Sequence, residues 1–228
     1  AAPVKRACFA ADRTGRVILD TLWEKCLQRG ITFLHEYHVV SLLAENGRCG
    51  GVCAYELSTG KVRVLRCKAL LLATGGAGKI YRTTSNAMAS TGDGMAFAYR
   101  AGAPLQDMEF VQFHPTGIYK LGILISEAAR GEGGILRNKN GERFMERYAP
   151  VIKDLAPRDM VSRCIMEEIQ AGRGIDGKDY VNLDLTHLPP EEIGSKLAEI
   201  IGFARIYAGV DAEREPIPVR SEERRVGK

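Results

Sequence analysis

Apolar positions along the chain change period several times, and each change marks an element. From Asp12 to Gly30, Ile18, Leu22 and Cys26 recur every four residues with Val17 and Leu27 beside them, and Gly30 follows as a stop. That spacing predicts an amphipathic helix. A short apolar run at Ile31 to Leu34 precedes three stretches, His38 to Leu43, Gly51 to Leu57 and Lys61 to Cys67, separated by Gly47 and by Ser58-Thr59-Gly60. Apolar positions alternate in the last two, so the three predict a small antiparallel meander. Ala69 to Ala73 is continuously apolar, the pattern of a strand buried on both faces. Met95 to Ala101 then predicts a helix stopped by Gly102. Pro157 opens another, with Met160, Val161, Cys164, Ile165 and Ile169 along one side. Asn138 to Gly141 reads as a turn, Val181 to Leu185 as a strand, and Ile193 to Ile201 as a last amphipathic helix after Pro189-Pro190.

Composition narrows the class of protein without naming it. The 228 residues are 45% hydrophobic and 26% charged, which is globular material and excludes a disordered or fibrous chain. No apolar run approaches the roughly 18 to 20 residues of a membrane span. The start, Ala1-Ala2-Pro3-Val4-Lys5-Arg6, carries charge where a signal peptide would be apolar, and without an initiator Met it reads as a beginning within a longer protein. Of the net charge of +4, the last nine residues supply two, from four basic and two acidic groups. The remainder interleaves both signs and argues against a nucleic-acid-binding face. Six cysteines without a CxxC pair suit a reducing compartment. The spacing of Cys49 and Cys53 from His35 and His38 matches no familiar zinc ligand set.

Several short stretches carry chemistry. Thr74-Gly75-Gly76-Ala77-Gly78 follows the apolar run, where backbone at a strand end approaches a ligand in open α/β sheets. It is not a Walker phosphate loop, because Ala73 stands at the first glycine position and Ile80 at the magnesium-holding one. Asp93 lies between glycines at a helix start, either capping it or presenting a carboxylate to a polar cofactor group. His114 sits beside a Pro-fixed turn. Glu127 and Arg130 are three apart and share a face if that segment is helical, as a surface ion pair or a functional one. Arg158, at the amino end of its helix, opposes the helix dipole and calls for an anion nearby.

Six motifs in order resemble the succinate dehydrogenase and fumarate reductase flavoprotein family. They are Ala73-Thr-Gly-Gly-Ala-Gly78, Thr91-Gly-Asp-Gly94, Gln112-Phe-His-Pro-Thr-Gly117, Arg130-Gly-Glu-Gly-Gly134, Gly141-Glu-Arg-Phe-Met145 and Leu155-Ala-Pro-Arg-Asp159, within a likeness running from about Ala11 to Val219. The resemblance implies part of an α/β, Rossmann-like FAD-binding domain with an antiparallel meander over residues 1–110. It implies part of an α+β capping domain over 111–219, with 220–228 a tail that departs from the family and reads as an artefact. It further implies FAD as cofactor, contacted by Thr74, Gly75, Gly76, Gly78 and Asp93, and a dicarboxylate bound by His114, Ser126 and Glu127. Arg158, Glu127 and Arg130 match a proton relay towards solvent, although a guanidinium, with a pKa above about 12, releases a proton reluctantly.

In such proteins hydride passes between succinate and flavin N5, a proton moves at the adjacent carbon, and electrons leave through an iron-sulfur subunit docked on membrane anchor subunits. The implied location is peripheral, at the cytoplasmic face of a bacterial inner membrane or on the mitochondrial matrix side. Fumarate reduction, L-aspartate oxidation and a flavin-free binding module retaining the fold are the alternatives. The run Gly141 to Pro150 with Lys153-Asp154-Leu155 is more like the respiratory flavoproteins than the aspartate oxidase. Upstream FAD-anchoring elements and a downstream His and Arg of the family have no counterpart here, so the 228-residue piece alone is expected to bind little FAD and to be inactive. Ser126 stands where many members have Thr and keeps the hydroxyl.

Overall fold

A computed structural model describes residues 8–10 and 13–222. They form two compact units, one of Lys25–Ile80 with Asn86–Val111, the other of the described parts of Ala1–Glu24 and Gln112–Lys228 with Tyr81–Ser85. The first helix, α1 (Thr14–Gln28), has the expected span, yet none of its residues is buried among the described residues. Periodicity sets the helix, whereas burial of its apolar stripe needs a partner surface.

In the first unit, β1 (Tyr37–Glu45), β2 (Arg48–Glu56) and β3 (Lys61–Arg66) pair antiparallel in chain order, the expected meander. Val52 and Ala54 on the central strand are buried. The apolar run Ile31 to Leu34 is irregular, and one expected strand is absent among the described residues. Ala69 to Ala73 is irregular and exposed, with Leu71 at 87%. A strand buried on both faces needs neighbours in its sheet, and no described strand pairs with this segment. Beyond it, α2 (Asp93–Arg100) buries Gly94 and Phe97.

The second unit contains a four-stranded antiparallel sheet of order β4-β7-β6-β5, from β4 (Gly117–Ile118), β5 (Ile135–Arg137), β6 (Val181–Asp184) and β7 (Ile217–Arg220). Around it lie α3 (Ala128–Gly131), α4 (Met145–Tyr148), α5 (Arg158–Gln170), α6 (Pro190–Lys196) and α7 (Ala198–Phe203). Pro157 is the cap residue of α5 rather than part of its first turn. Val161, Cys164, Ile165 and Glu168, at the spacing of one helix face, are buried, the apolar ones joining Leu136, Leu183, Ile217 and Val219 in one core. Each fully buried aliphatic side chain contributes about 1.5–3 kcal/mol.

One member of that buried face is charged. Glu168 accepts hydrogen bonds from Tyr148 Oη at 2.8 Å, Asn138 Nδ2 at 2.9 Å, Arg173 Nε and Nη2 at 2.7 and 2.9 Å, and Arg147. Burial opposes its ionisation, but the donors, led by Arg173 and Asn138, prevail and hold the carboxyl down at about 2, against 4.5 ordinarily. Its contribution to stability is therefore complete above pH 4.5 and disappears as the pH falls towards 2. In the intact polypeptide, Glu168→Gln should lower unfolding free energy at pH 7 by about 1–3 kcal/mol. That is less than removal of a partner from a fully buried ion pair, because Arg147 and Arg173 can turn to water. The variant should also flatten the acid limb of a urea-unfolding series measured from pH 3 to 7.

Candidate functional site

The sequence-predicted residues fall into two groups, one in each unit. In the first, the glycine loop Thr74–Gly78 lies against the start of α2. A side chain at Gly94 would overlap the Thr74 hydroxyl, and one at Gly92, whose φ is +85°, would meet Ala77 Cβ at 3.0 Å. Only glycine lets the loop and the helix start approach this closely. Gly75 also has a positive φ, +74°, and Thr74, Gly75 and Gly76 are exposed, so their backbone is open to a ligand. The cap residue of α2 is Gly92 and makes no side-chain bond, so Asp93 is not the cap. It occupies the first turn, where its negative charge suits the helix dipole, and accepts from Thr91 Oγ1 at 2.7 Å.

In the second unit, His114, Ser126, Glu127, Arg130 and Arg158 come together from segments up to 44 residues apart in the chain. Thr116 joins the first two segments: its hydroxyl donates to the Ile125 carbonyl at 2.9 Å, and its own carbonyl accepts from Ile125 N. Its amide donates to His114 Nδ1 at 3.2 Å, which makes Nδ1 the acceptor and assigns the ring proton to Nε2. Ser126 Oγ accepts from Ala128 N at 3.2 Å and keeps its own proton to donate. Ser162 of α5 donates to the Phe113 carbonyl at 3.4 Å, fixing the helix beside the histidine turn.

Glu127 is the anion that Arg158 requires. Its Oε2 accepts from Arg158 Nη2 at 2.9 Å and Nε at 3.0 Å, while Arg158 Nη1 donates to Gln112 Oε1 at 3.3 Å. Glu127 Oε1 lies 3.8 Å from Arg130 Nη2, so one carboxylate faces two guanidiniums. Arg158 and Glu127 are 39% and 46% exposed, but the Arg130 side chain is wholly buried. Arg130 is thus no surface ion-pair residue, and the expected relay does not reach solvent through it among the described residues, where Glu127 and Arg158 are the exposed members. It donates to the carbonyl of Asp154, while its Nε and Nη2 make no hydrogen bond within the described chain. Burial lowers the Arg130 pKa, with Arg158 adding repulsion and Glu127 and Asp154 opposing both.

His114 is almost fully buried between these cations. Burial, then the charges of Arg158 and Arg130, push its pKa down to about 4. The imidazole is neutral near pH 7, a hydrogen-bond donor through Nε2 rather than a charge. Gln112 and Asp154 belong to the site although neither was assigned a role from sequence, Asp154 being noted only within the Lys153-Asp154-Leu155 run. Gln112 had a signal, its place in the Gln-Phe-His-Pro-Thr-Gly motif. The nine-residue tail, read as an artefact, continues β7 at Arg220, and Glu222 accepts from the backbone amides of Ser85 and His114.

Residues 2–225 match the family described as FAD binding domain. The chain is 56% identical to the succinate dehydrogenase flavoprotein subunit of Rickettsia bellii, over 94% of its own length and 36% of that protein. It is 53% identical to a mitochondrial succinate dehydrogenase (ubiquinone) flavoprotein of Xenopus laevis, over 94% of its length and 32% of that protein. A solved quinol-fumarate reductase with menaquinol molecules superposes with a TM-score of 0.90 at 41% identity, over 96% of this chain and 40% of the other. The chain therefore spans about a third of the length of the curated relatives it matches.

Because its folded pKa lies below the ordinary 6.5, His114 should stay neutral at pH 5, with its imidazole 15N shifts titrating only near pH 4. The unfolded chain binds that proton first, so folding stability should decline as the pH falls from 6.5 towards 4. His114→Gln should remove this part of the decline in a pH series of unfolding midpoints.

Proposed function

We propose, because this chain belongs to the FAD-binding domain family and within it to the succinate dehydrogenase and fumarate reductase flavoproteins, that the polypeptide it is part of oxidises succinate to fumarate. The observation that carries the reading is Glu127 set between Arg158 and Arg130 beside a neutral, buried His114. A dicarboxylate needs cations and donors that are placed before it arrives, and this cluster supplies both.

The residues of the first unit fit the cofactor. The exposed backbone of Thr74, Gly75 and Gly76 can approach it, half-buried Gly78 ends the loop against Asn86, and Asp93, an acceptor only, suits its hydroxyls rather than its phosphates. FAD, when bound, supplies the two-electron acceptor for the hydride leaving succinate. In the second unit, His114 Nε2–H and the Ser126 hydroxyl donate to a substrate carboxylate. The Arg158 guanidinium, its fork aligned by Glu127 and Gln112, gives a proton to the Glu127 carboxylate as it takes one from the carbon adjacent to the hydride donor, and so ends as the guanidinium it began as. Glu127, left as the carboxylic acid, passes its proton on and returns to the carboxylate, which Arg130 stabilises. A residue of such high pKa can serve as the base only while its conjugate partner exchanges the proton at once, which the Glu127 contact at 2.9 Å provides.

In this reading the second unit is part of the capping domain. Electrons leave through an iron-sulfur subunit, itself docked on membrane anchor subunits, with the flavoprotein peripheral to a bacterial inner membrane or on the matrix side of a mitochondrial one. Among the described residues no helix is long and apolar enough to cross a membrane.

The test is to express the intact polypeptide with FAD and compare succinate-dependent dye reduction with aspartate-dependent peroxide formation. Malonate-sensitive turnover of succinate supports the proposal; turnover of aspartate alone would transfer the protein to the oxidase branch. Arg158→Lys should lower kcat by about 10²- to 10³-fold, since a point charge cannot reproduce the planar fork held by Glu127 and Gln112. Flavin content should remain at the parental level.

A further inference from the structure

Asp154 occupies an unusual position relative to both arginines. It is 1% exposed and lies in the single turn Lys153–Leu155 before α5. Its carboxylate accepts from Leu136 N of β5 at 2.9 Å through Oδ1 and from Arg143 Nε at 2.6 Å through Oδ2. Its backbone carbonyl meanwhile accepts from Arg130 Nη1, the one hydrogen bond that the buried guanidinium makes within the described residues. Four residues later the same strand of backbone delivers Arg158, through Pro157, to the other side of Glu127. The preceding Lys153 has a φ of +48°, a left-handed conformation that a non-glycine residue adopts only when its surroundings impose it.

We propose that Asp154 is a positioning residue for proton transfer: by anchoring its turn to β5 and Arg143, it sets the separation of Arg130 and Arg158 about Glu127. This inference rests on the proposed succinate chemistry and adds to it a residue that touches neither substrate nor flavin. The physical reason is the geometry of the turn. A carbonyl held by covalent bonds to an immobilised carboxylate residue cannot drift, so Arg130 keeps its direction even though Glu127 is 3.8 Å away. Without the anchor, the left-handed Lys153 can relax, the carbonyl rotates, and the buried guanidinium loses its only fixed acceptor.

The experiment uses the full-length flavoprotein and its Asp154→Asn, Arg143→Gln and Arg143→Lys variants. Turnover is measured per bound flavin in H2O and in D2O, with succinate and with fumarate. Asp154→Asn retains the shape but loses the ionic anchor, and should lower kcat by about 10- to 100-fold, the scale on which a misplacement of about 1 Å acts. KM should change by less than about two-fold, because the substrate carboxylate donors are untouched. The solvent isotope effect on kcat should rise as proton transfer becomes limiting. Arg143→Gln, at a partly exposed position that folding tolerates better, should move both readouts in the same direction by a smaller amount, and Arg143→Lys should restore most of the parental rate. A structural role alone would reduce flavin content or thermal stability and leave kcat per flavin and the isotope effect at parental values. That outcome in Asp154→Asn and Arg143→Gln would overturn the proposal while succinate turnover by the parent upheld the functional reading. Absence of succinate and fumarate turnover in the parent itself would overturn both.

Discussion

A guanidinium removed from water constrains everything near it. Arg130 has its whole side chain buried, and taking such an ion out of water costs several kcal/mol unless charge and hydrogen bonds are returned to it. Here they come from a carboxylate 3.8 Å away and from one backbone carbonyl. The position of Glu127 is therefore tied to Arg130 on one side, and by the same carboxylate to Arg158 on the other. The histidine turn completes the arrangement, since burial first and then the two cations keep the imidazole neutral and make it a donor.

Another buried charge, Glu168, behaves differently. Glu168 is surrounded by donors from α4, the Asn138 turn and Arg173, so its carboxylate is over-supplied with partners where Arg130 is under-supplied. Satisfied buried networks hold elements in one arrangement, whereas a partly satisfied group is where chemistry can act on a site. Both lie on or against α5, one near each end. The helix that carries Arg158 is thus fixed at its carboxyl end by Glu168 and at its amino end by the turn at Asp154.

Much of this was legible in the chain. Alternation and turn residues located the meander, Pro157 and the following apolar period located α5, and the order of six motifs indicated the family. An Arg at a helix amino end called for an anion, and Glu127 is that anion. Ala69 to Ala73 misled because continuous apolarity reports that a segment can be buried, not that its sheet neighbours are at hand. Asp154 was invisible because an Asp in a Lys-Asp-Leu turn looks the same whether it faces water or an amide of a distant strand.

Sequence by itself determined the local periods, the helix starts and stops, the glycines that permit close approach, and the family. The first three are decided within a few residues, by backbone sterics and the spacing of apolar groups, whereas the family rests on the order of six motifs along the chain. Tertiary structure alone decided that Arg130 is buried while Arg158 is partly exposed, that His114 is neutral, and that Asp154 serves Arg130 through its carbonyl and the sheet through its carboxylate. Burial, charge and the direction of a hydrogen bond depend on which distant segments meet, and Glu127 and Arg158, 31 positions apart, encode no contact until the chain closes on itself.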